Sequence, residues 1–168
     1  MSFTTGNPPV EQSQDDSCII DSLVHLMQQS DDPDRQVAAI IFDKNGVKVS
    51  AEANGLVTPQ SPKDGDRVSR VGNLKYFWLE HAERRAIFSA LRSQIDLDGG
   101  RIYVSLFPCA ECARAIVQSG IRSVVAPEIQ EDDNRHLQSM TIAKEIFEEV
   151  GVEILIIALP NHPSSVLK

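Results

Sequence analysis

The stretch RIYVSLFPCAECARAIVQSG, residues 101–120, decides how this chain folds. Its first part, RIYVSLF, is an apolar run that predicts a buried strand. Its second part predicts a helix from Cys109 to about Ser119, closed by Gly120. Because the strand ends where the helix begins, we expect Cys109 and Cys112 at the carboxyl edge of a sheet, where such folds place their sites.

The segments on either side extend this strand–helix unit. Upstream, SCIIDSLVHLMQQS predicts an amphipathic helix, and VAAIIFD-KNG-VKVSAEANG predicts a hairpin that turns at Asn45-Gly46. A long loop from Leu56 to Tyr76 follows, rich in Pro, Gly, Ser and charge, and then the helix HAERRAIFSALRSQ from His81. Downstream come the strand IRSVVAP, a helix ending in KEIFEEV and the apolar strand VEILIIAL.

This order, α-β-β-α-β-α-β-α-β, predicts the fold class. After the hairpin, strands alternate with helices, which is typical of a largely parallel sheet with helices on its faces. The continuous apolar character of the later strands indicates burial on both faces. We expect a flexible segment at residues 1–14, one domain at 15–160 and a tail at 161–168.

Composition excludes several classes of protein. The 168 residues carry a net charge of −8 with a pI near 4.9, which disfavours a nucleic-acid partner, although a small anionic substrate needs only a few local cations. No apolar run reaches the roughly 18 residues of a membrane span, and the first residues do not form a secretory signal. Three cysteines, two of them in C-x-x-C, fit a reducing compartment, so we expect a cytoplasmic protein.

Three residues have the chemistry of zinc ligands: His81, Cys109 and Cys112. On a helix the two cysteines stand three residues apart and therefore share a face, and a helix N-terminus favours the thiolate form. A structural zinc takes four protein ligands, whereas a catalytic zinc keeps one position open for water, so three ligands favour catalysis. Cys18 could supply a fourth, but its place on the first helix predicts that it packs in the core.

Glu83 stands two residues after His81 and is the candidate acid/base group. Two thiolates and a neutral imidazole cancel the charge of Zn²⁺, so such a site needs a base to help deprotonate its water. Positions i and i+2 of a helix point about 200° apart. Both side chains can face one pocket only if His81 lies in the first turn, and the preceding KYFWLE, aromatic and extended in character, makes that placement plausible.

The motifs His81-Ala82-Glu83 and Pro108-Cys109-Ala110-Glu111-Cys112 together resemble the zinc-dependent cytidine and deoxycytidylate deaminase superfamily, whose signature is H-x-E…P-C-x-x-C. The resemblance covers residues 16–159 and is greatest to the bacterial deoxycytidylate deaminase branch, which SDDPDRQVAAIIFDKNG also resembles. One departure is Arg85, where deoxycytidylate deaminases commonly have Asn; the additional zinc ligands of some of those enzymes are also missing.

The resemblance implies a three-layer α-β-α fold with a mixed five-stranded sheet whose last strands are parallel. It implies one catalytic Zn²⁺ per chain on His81, Cys109 and Cys112, Glu83 as the proton shuttle, and the Ala82 N–H and the Asn54 side chain as substrate contacts. The reaction would be hydrolytic deamination of a cytosine nucleotide or nucleoside, dCMP-like, in which zinc-activated water attacks the amino-bearing carbon and ammonia leaves. It also implies a homo-oligomer, at least a dimer, to which the apolar YFW at residues 76–78 offers a surface.

Several alternatives stay open. The substrate could be another free base or amino-heterocycle, and transfer-RNA adenosine deamination is the closest rival, which the net charge of −8 disfavours. A non-enzymatic zinc-stabilised module would not need Glu83, and a redox C-x-x-C protein leaves His81 and Glu83 unexplained. Asn54-Gly55 could be a turn and nothing more. The long loop carries four cations, and Arg85 on the following helix adds another: Lys63, Arg67, Arg70 and Lys75 on the loop. We expect the loop cations to be solvated rather than to bind a phosphate, although a nucleotide substrate would need some of these groups.

Overall fold

The strand predicted at the start of the deciding stretch is the middle strand of a five-stranded sheet. The structure, a computed structural model, describes residues 14–58, 67–130 and 135–160. Within them, in chain order, lie α1 (Gln14–Met27), β1 (Ala38–Phe42), β2 (Lys48–Ala53), β3 (Gly55–Leu56), a 3₁₀ turn (Val71–Asn73), α2 (Lys75–Trp78), β4 (Leu79–Glu80), α3 (Ala82–Arg92), β5 (Arg101–Val104), α4 (Ala110–Gln118), β6 (Ser123–Ala126), α5 (Leu137–Val150) and β7 (Glu153–Ile156).

The sheet runs in the order β2-β1-β5-β6-β7. β1 pairs antiparallel with both β2 and β5, whereas β5, β6 and β7 pair parallel. The hairpin turns at Asn45-Gly46, and Gly46 takes the left-handed φ of +79° that such a turn requires. The predicted fold class, a mixed five-stranded sheet with parallel last strands, is confirmed.

Helices cover both faces of this sheet and complete the three predicted layers. On one face, α1 packs through Ile20, Leu23 and Met27 against side chains of β1, β5 and β6. On the other face, α3, α4 and α5 share one core with the alternate side chains of the same strands. Both crossover helices, α4 and α5, therefore lie on one side, as expected for consecutive parallel strands added in one direction.

Three expectations from the sequence are wrong. Cys18 is exposed rather than packed in the core, because α1 presents a different stripe to the sheet. The segment KYFWLE is not extended throughout: residues 75–78 form one helical turn before the short strand β4. β7 is only partly buried, since it is an edge strand with a single neighbour, β6.

The ends of the chain and its hydropathy complete this description. The flexible segment predicted at 1–14 and the tail predicted at 161–168 lie outside the described residues, except that Gln14 begins α1. None of the helices within the described ranges is long and apolar enough to cross a membrane.

Gly120 and Gly151 follow the ends of α4 and α5, and both have a left-handed φ, +86° and +72°. A Cβ on Gly120 would lie 2.9 Å from Asp98 Cα, whereas one on Gly151 would meet nothing within 4 Å. We expect Gly151→Ala to lower the free energy of unfolding by about 1 kcal/mol, from φ alone. Gly120→Ala should cost about 1–3 kcal/mol more, because backbone must move. Urea denaturation measures both; equal losses would contradict the steric argument.

Candidate metal centre and substrate cleft

The three predicted zinc ligands lie together at the carboxyl edge of the sheet. Their ligand atoms all fall within 4.8 Å of one another. His81 Nδ1 lies 3.5 Å from Cys109 Sγ and 3.3 Å from Cys112 Sγ. One imidazole and two thiols at these separations form a donor set that suits zinc.

Two helix N-termini bring these residues together. His81 is the N-cap of α3 and Cys109 is the N-cap of α4, and both have extended backbone angles. Cys112 follows in the first turn of α4 and is fully buried. An N-cap side chain lies beside the free N–H groups of its helix, so both helix ends favour negative charge at the cluster.

The three donors strongly perturb one another. The hydrogen bond to Cys109 and the nearby Glu83 raise the pKa of His81 to about 9. The hydrogen bonds to Cys112 and His81 lower the pKa of Cys109 to about 3. The same contact with Cys109, together with burial, raises the pKa of the Cys112 thiol. These opposed pKa shifts favour negative charge on Cys109 and positive charge on His81, and a divalent cation bound here would compete with the protons on His81 and Cys112.

Glu83 lies against this cluster in the first turn of α3 and is only 4% exposed. Burial raises the pKa of its carboxyl, and Cys112 shares a hydrogen bond with it. The two-residue spacing from His81 is no obstacle, since His81 precedes the helix in extended backbone and does not follow the helical rotation. His81 and Glu83 therefore line one cleft, as the sequence required.

This cleft has a volume of about 170 Å³ and extends from the cluster past both predicted substrate contacts, Asn54 and Ala82. The Asn54 amide is 7% exposed and structurally engaged. Its Oδ1 accepts hydrogen bonds from Ser30 Oγ at 2.6 Å and the Val37 N–H at 2.8 Å, and its Nδ2 donates to the Arg35 carbonyl at 2.9 Å. Asn54 is thus more than a turn former. These bonds use one of its two Nδ2 hydrogens, and the second can donate to another group.

The loop cations are placed differently from the sequence expectation. Lys75 is 3% exposed and ion-paired, so solvation is the wrong interpretation for it. Arg70 Nε donates to Asp34 Oδ2 at 2.7 Å, and Arg67 stacks 4.2 Å from the centre of the Trp78 ring. Lys63 lies outside the described residues.

Arg85, the departure from the family pattern, supports the cleft from behind. Its Nη1 donates to the Ala53 carbonyl at 2.9 Å and its Nη2 lies 3.4 Å from Glu52 Oε2. Arg70 lines the cleft, as far as the described residues show, whereas Arg67 and Arg85 do not.

Sequence reasoning missed several residues of the cleft, among them the basic residues Arg35, Arg135 and His136. The topology holds a signal that could have found them. β1 is antiparallel to β5, so the chain before β1 lies at the carboxyl edge of β5, and the chain after β6 reaches the same edge. Residues 31–37 and 127–136 are therefore the segments from which cleft residues should be sought.

Fold and site together define a class: an α/β domain with a candidate metal centre at the carboxyl edge of its sheet. A sequence model described as the cytidine and deoxycytidylate deaminase zinc-binding region matches residues 13–128. The chain is 39% identical to an "uncharacterized deaminase in luxG 3′ region" of Aliivibrio fischeri, over 74% of this chain and 81% of that protein. It is 33% identical to a deoxycytidylate deaminase of Pongo abelii, over 74% of this chain and 69% of that one.

The fold has solved counterparts. The dCMP deaminase of cyanophage S-TIM5 superposes with a TM-score of 0.68 and 19% identity, covering 88% of this chain and all of that one. The match to the sequence model over residues 13–128 and the identity to these two relatives show that the chain belongs to the cytidine and deoxycytidylate deaminase family and is a deaminase enzyme, as the resemblance predicted.

Proposed function

We propose that this enzyme hydrolytically deaminates a cytosine nucleotide of the dCMP type, with zinc as its cofactor. The observation that carries the proposal is the buried Glu83 carboxyl beside the His81, Cys109 and Cys112 donors at one end of a cleft. The deoxycytidylate deaminase of Pongo abelii supports the substrate class, since it shares a third of its residues with this chain over most of both sequences.

The residues present fit a catalytic zinc. Two thiolates and one neutral imidazole supply three protein ligands, and three is the number that leaves a position for water. When bound, zinc supplies the positive charge that lowers the pKa of a water molecule towards neutrality. Cys18, the one other cysteine of the chain, is exposed on α1 and is no candidate for a fourth ligand.

Glu83 is proposed to move the protons. Its carboxylate takes a proton from the attacking water and delivers it to the ring nitrogen of cytosine, while the water oxygen bonds to the amino-bearing carbon. The C–N bond then breaks and ammonia leaves with the remaining proton, so water and the amine become a carbonyl and ammonia. The pKa of Glu83 is raised by burial, which suits a carboxyl group that must hold a proton between these steps.

Ala82 and Asn54 are proposed to orient the substrate. Ala82 is the first residue of α3, and the first N–H groups of a helix have no acceptor within that helix. The free Nδ2 hydrogen of Asn54 offers a second donor in the same cleft. Both groups lie in the cleft that contains His81 and Glu83, so one bound molecule could contact all of them.

The cleft is lined by cations that could bind a phosphate group, and this favours a nucleotide substrate over a nucleoside or a free base. Arg35, Arg70 and Arg135 line the cleft in a protein whose net charge is −8. Arg135 donates to the Tyr76 hydroxyl from one nitrogen, at 2.7 Å, and a guanidinium has five N–H donors in all. Arginines held in this way suit a terminal phosphate.

Self-association is a further part of the proposal. Tyr76, Phe77 and Trp78 are exposed, with Phe77 81% exposed, and they form an apolar surface beside the cleft. A patch of this kind supports the homo-oligomer, at least a dimer, that the family resemblance implies.

The first prediction concerns metal content. The purified protein should contain about one zinc per chain, because three donors converge on one point. Cys109→Ala and Cys112→Ala should lose zinc and activity together, whereas Cys18→Ala, on the outer side of α1, should keep both. Elemental analysis of the three variants measures this, and full zinc in either site variant would reject the ligand assignment.

The second prediction concerns Glu83. Glu83→Gln keeps the size of the side chain but cannot accept a proton, so dCMP turnover should fall by about 10³-fold or more with zinc retained. Glu111→Gln removes a carboxylate from an exposed position on α4 and should change little. Ammonia release, measured with dCMP, deoxycytidine, cytosine and adenosine, gives the rates and tests the substrate class. Retention of a tenth of the activity in Glu83→Gln would exclude it as the proton shuttle.

The third prediction concerns the phosphate. Arg135→Gln and Arg35→Gln should each raise KM for dCMP by about tenfold and leave KM for deoxycytidine nearly unchanged, since only the nucleotide has a phosphate to lose. Arg114→Gln, exposed on α4, is the control. If the ratio of kcat/KM for dCMP to kcat/KM for deoxycytidine is the same in all three variants, Arg35 and Arg135 do not bind the phosphate.

A further inference from the structure

Lys75 is the most deeply buried cation that the structure describes, and its partners belong to another segment of the chain. Its Nζ donates to Asp32 Oδ1 at 3.0 Å, to Asp32 Oδ2 at 2.9 Å and to Asp34 Oδ2 at 3.1 Å. An ammonium group has three donors, and these contacts engage them. The ion pair therefore fixes the turn at residues 31–34 against the first residue of α2.

A chain of hydrogen bonds continues from this ion pair to Asn54. The Asp32 N–H donates to Ser30 Oγ at 3.0 Å, and Ser30 Oγ donates to Asn54 Oδ1 at 2.6 Å. All three residues are buried. Ser30 Oγ, the Val37 N–H and the Arg35 carbonyl together orient this amide, so the turn that Lys75 holds supports one of the three contacts that direct the remaining Nδ2 hydrogen.

Backbone pairing between β3 and β4 provides a second connection between Asn54 and the His81 segment. β3 begins one residue after Asn54 and pairs with β4, which ends one residue before His81. Lys75, at the start of α2, lies on the segment that leads directly into β4. The ion pair thus joins the turn at residues 31–34, which contacts Asn54 through Ser30, to the segment that leads to the proposed metal ligand.

We infer that Lys75 is a positioning residue for substrate binding: through Asp32 and Ser30 it fixes the Asn54 amide relative to the His81 segment. This inference rests on the proposed function, since it assumes that Asn54 contacts the substrate. A merely structural ion pair would change the stability of the folded protein and leave its substrate affinity as it is. A positioning role changes KM in molecules that are folded and loaded with zinc.

Two variants interrupt the path at different points. Lys75→Met removes the ammonium, and Ser30→Ala leaves the ion pair intact but removes the link to Asn54. Each should raise KM for the substrate by about tenfold, the effect expected from a lost buried hydrogen bond, with kcat changed less than about threefold and zinc content unchanged. Lys144→Met, which breaks the exposed pair with Glu148 on α5, is the matched control and should leave KM unchanged.

The double variant gives the sharpest readout. If both residues act through Asn54, KM of Lys75→Met/Ser30→Ala should equal that of the more affected single variant instead of the product of the two effects. A multiplicative increase, or an unchanged KM in zinc-loaded Ser30→Ala, would overturn the inference. Ser30→Ala decides the question by itself if Lys75→Met does not fold, because it leaves no buried charge unpaired.

Failure of the proposed function is distinguishable from failure of this inference. If the wild-type enzyme does not turn over dCMP, the nucleotide proposal fails, and the KM comparison is made on the compound of the panel that the enzyme does deaminate. If the wild-type enzyme deaminates dCMP while both single variants keep its KM, the nucleotide proposal stands and Lys75 is only a structural residue.

Discussion

The meeting of two helix N-termini is the constraint on which the site depends. His81 and Cys109 are the N-caps of α3 and α4, and their ligand atoms can lie within 4.8 Å of each other only if the two helix N-termini approach closely. Small, fully buried residues at the start of each helix, Ala82 and Ala113, allow that approach. Because helix N-termini favour negative charge, this junction favours a thiolate at Cys109.

Burial destabilises several negative charges at this junction when no cation is bound beside them. Cys109, Cys112 and Glu83 bring three potential negative charges into one corner of a protein that is already acidic. Burial raises the pKa of Glu83, the hydrogen bond with Cys109 raises the pKa of Cys112, and the same hydrogen bond lowers the pKa of Cys109, so negative charge is favoured on Cys109 over the other two groups. A divalent cation offsets such negative charge, so metal binding and the ionisation of the site are one equilibrium.

The sequence predicts the regular part of the molecule well, because strand–helix alternation, the C-x-x-C spacing and the helix starts are local signals. It predicts the sheet and the convergence of His81 with the cysteines. It fails where partners are distant along the chain. Lys75 is read as a solvated cation because Asp32, its buried partner, lies more than forty residues earlier. Arg135 gives no spacing signal, and Cys18 lies on the face of α1 opposite the buried Ile20, Leu23 and Met27.

The proposed proton shuttle Glu83 and the proposed substrate contact Asn54 lie on different parts of the fold. The floor of the cleft is made of helix starts, which are rigid, whereas its wall is made of the turns around Asp32 and Asn54. Arg85 lies behind this wall, where its Nη1 donates to the Ala53 carbonyl. Its guanidinium occupies the space that a Cβ on Gly55 would fill, and it is paired with Glu52. A neutral amide at this position would leave Glu52 without that pair, so Arg85, Gly55 and Glu52 form one unit that supports Asn54 from behind.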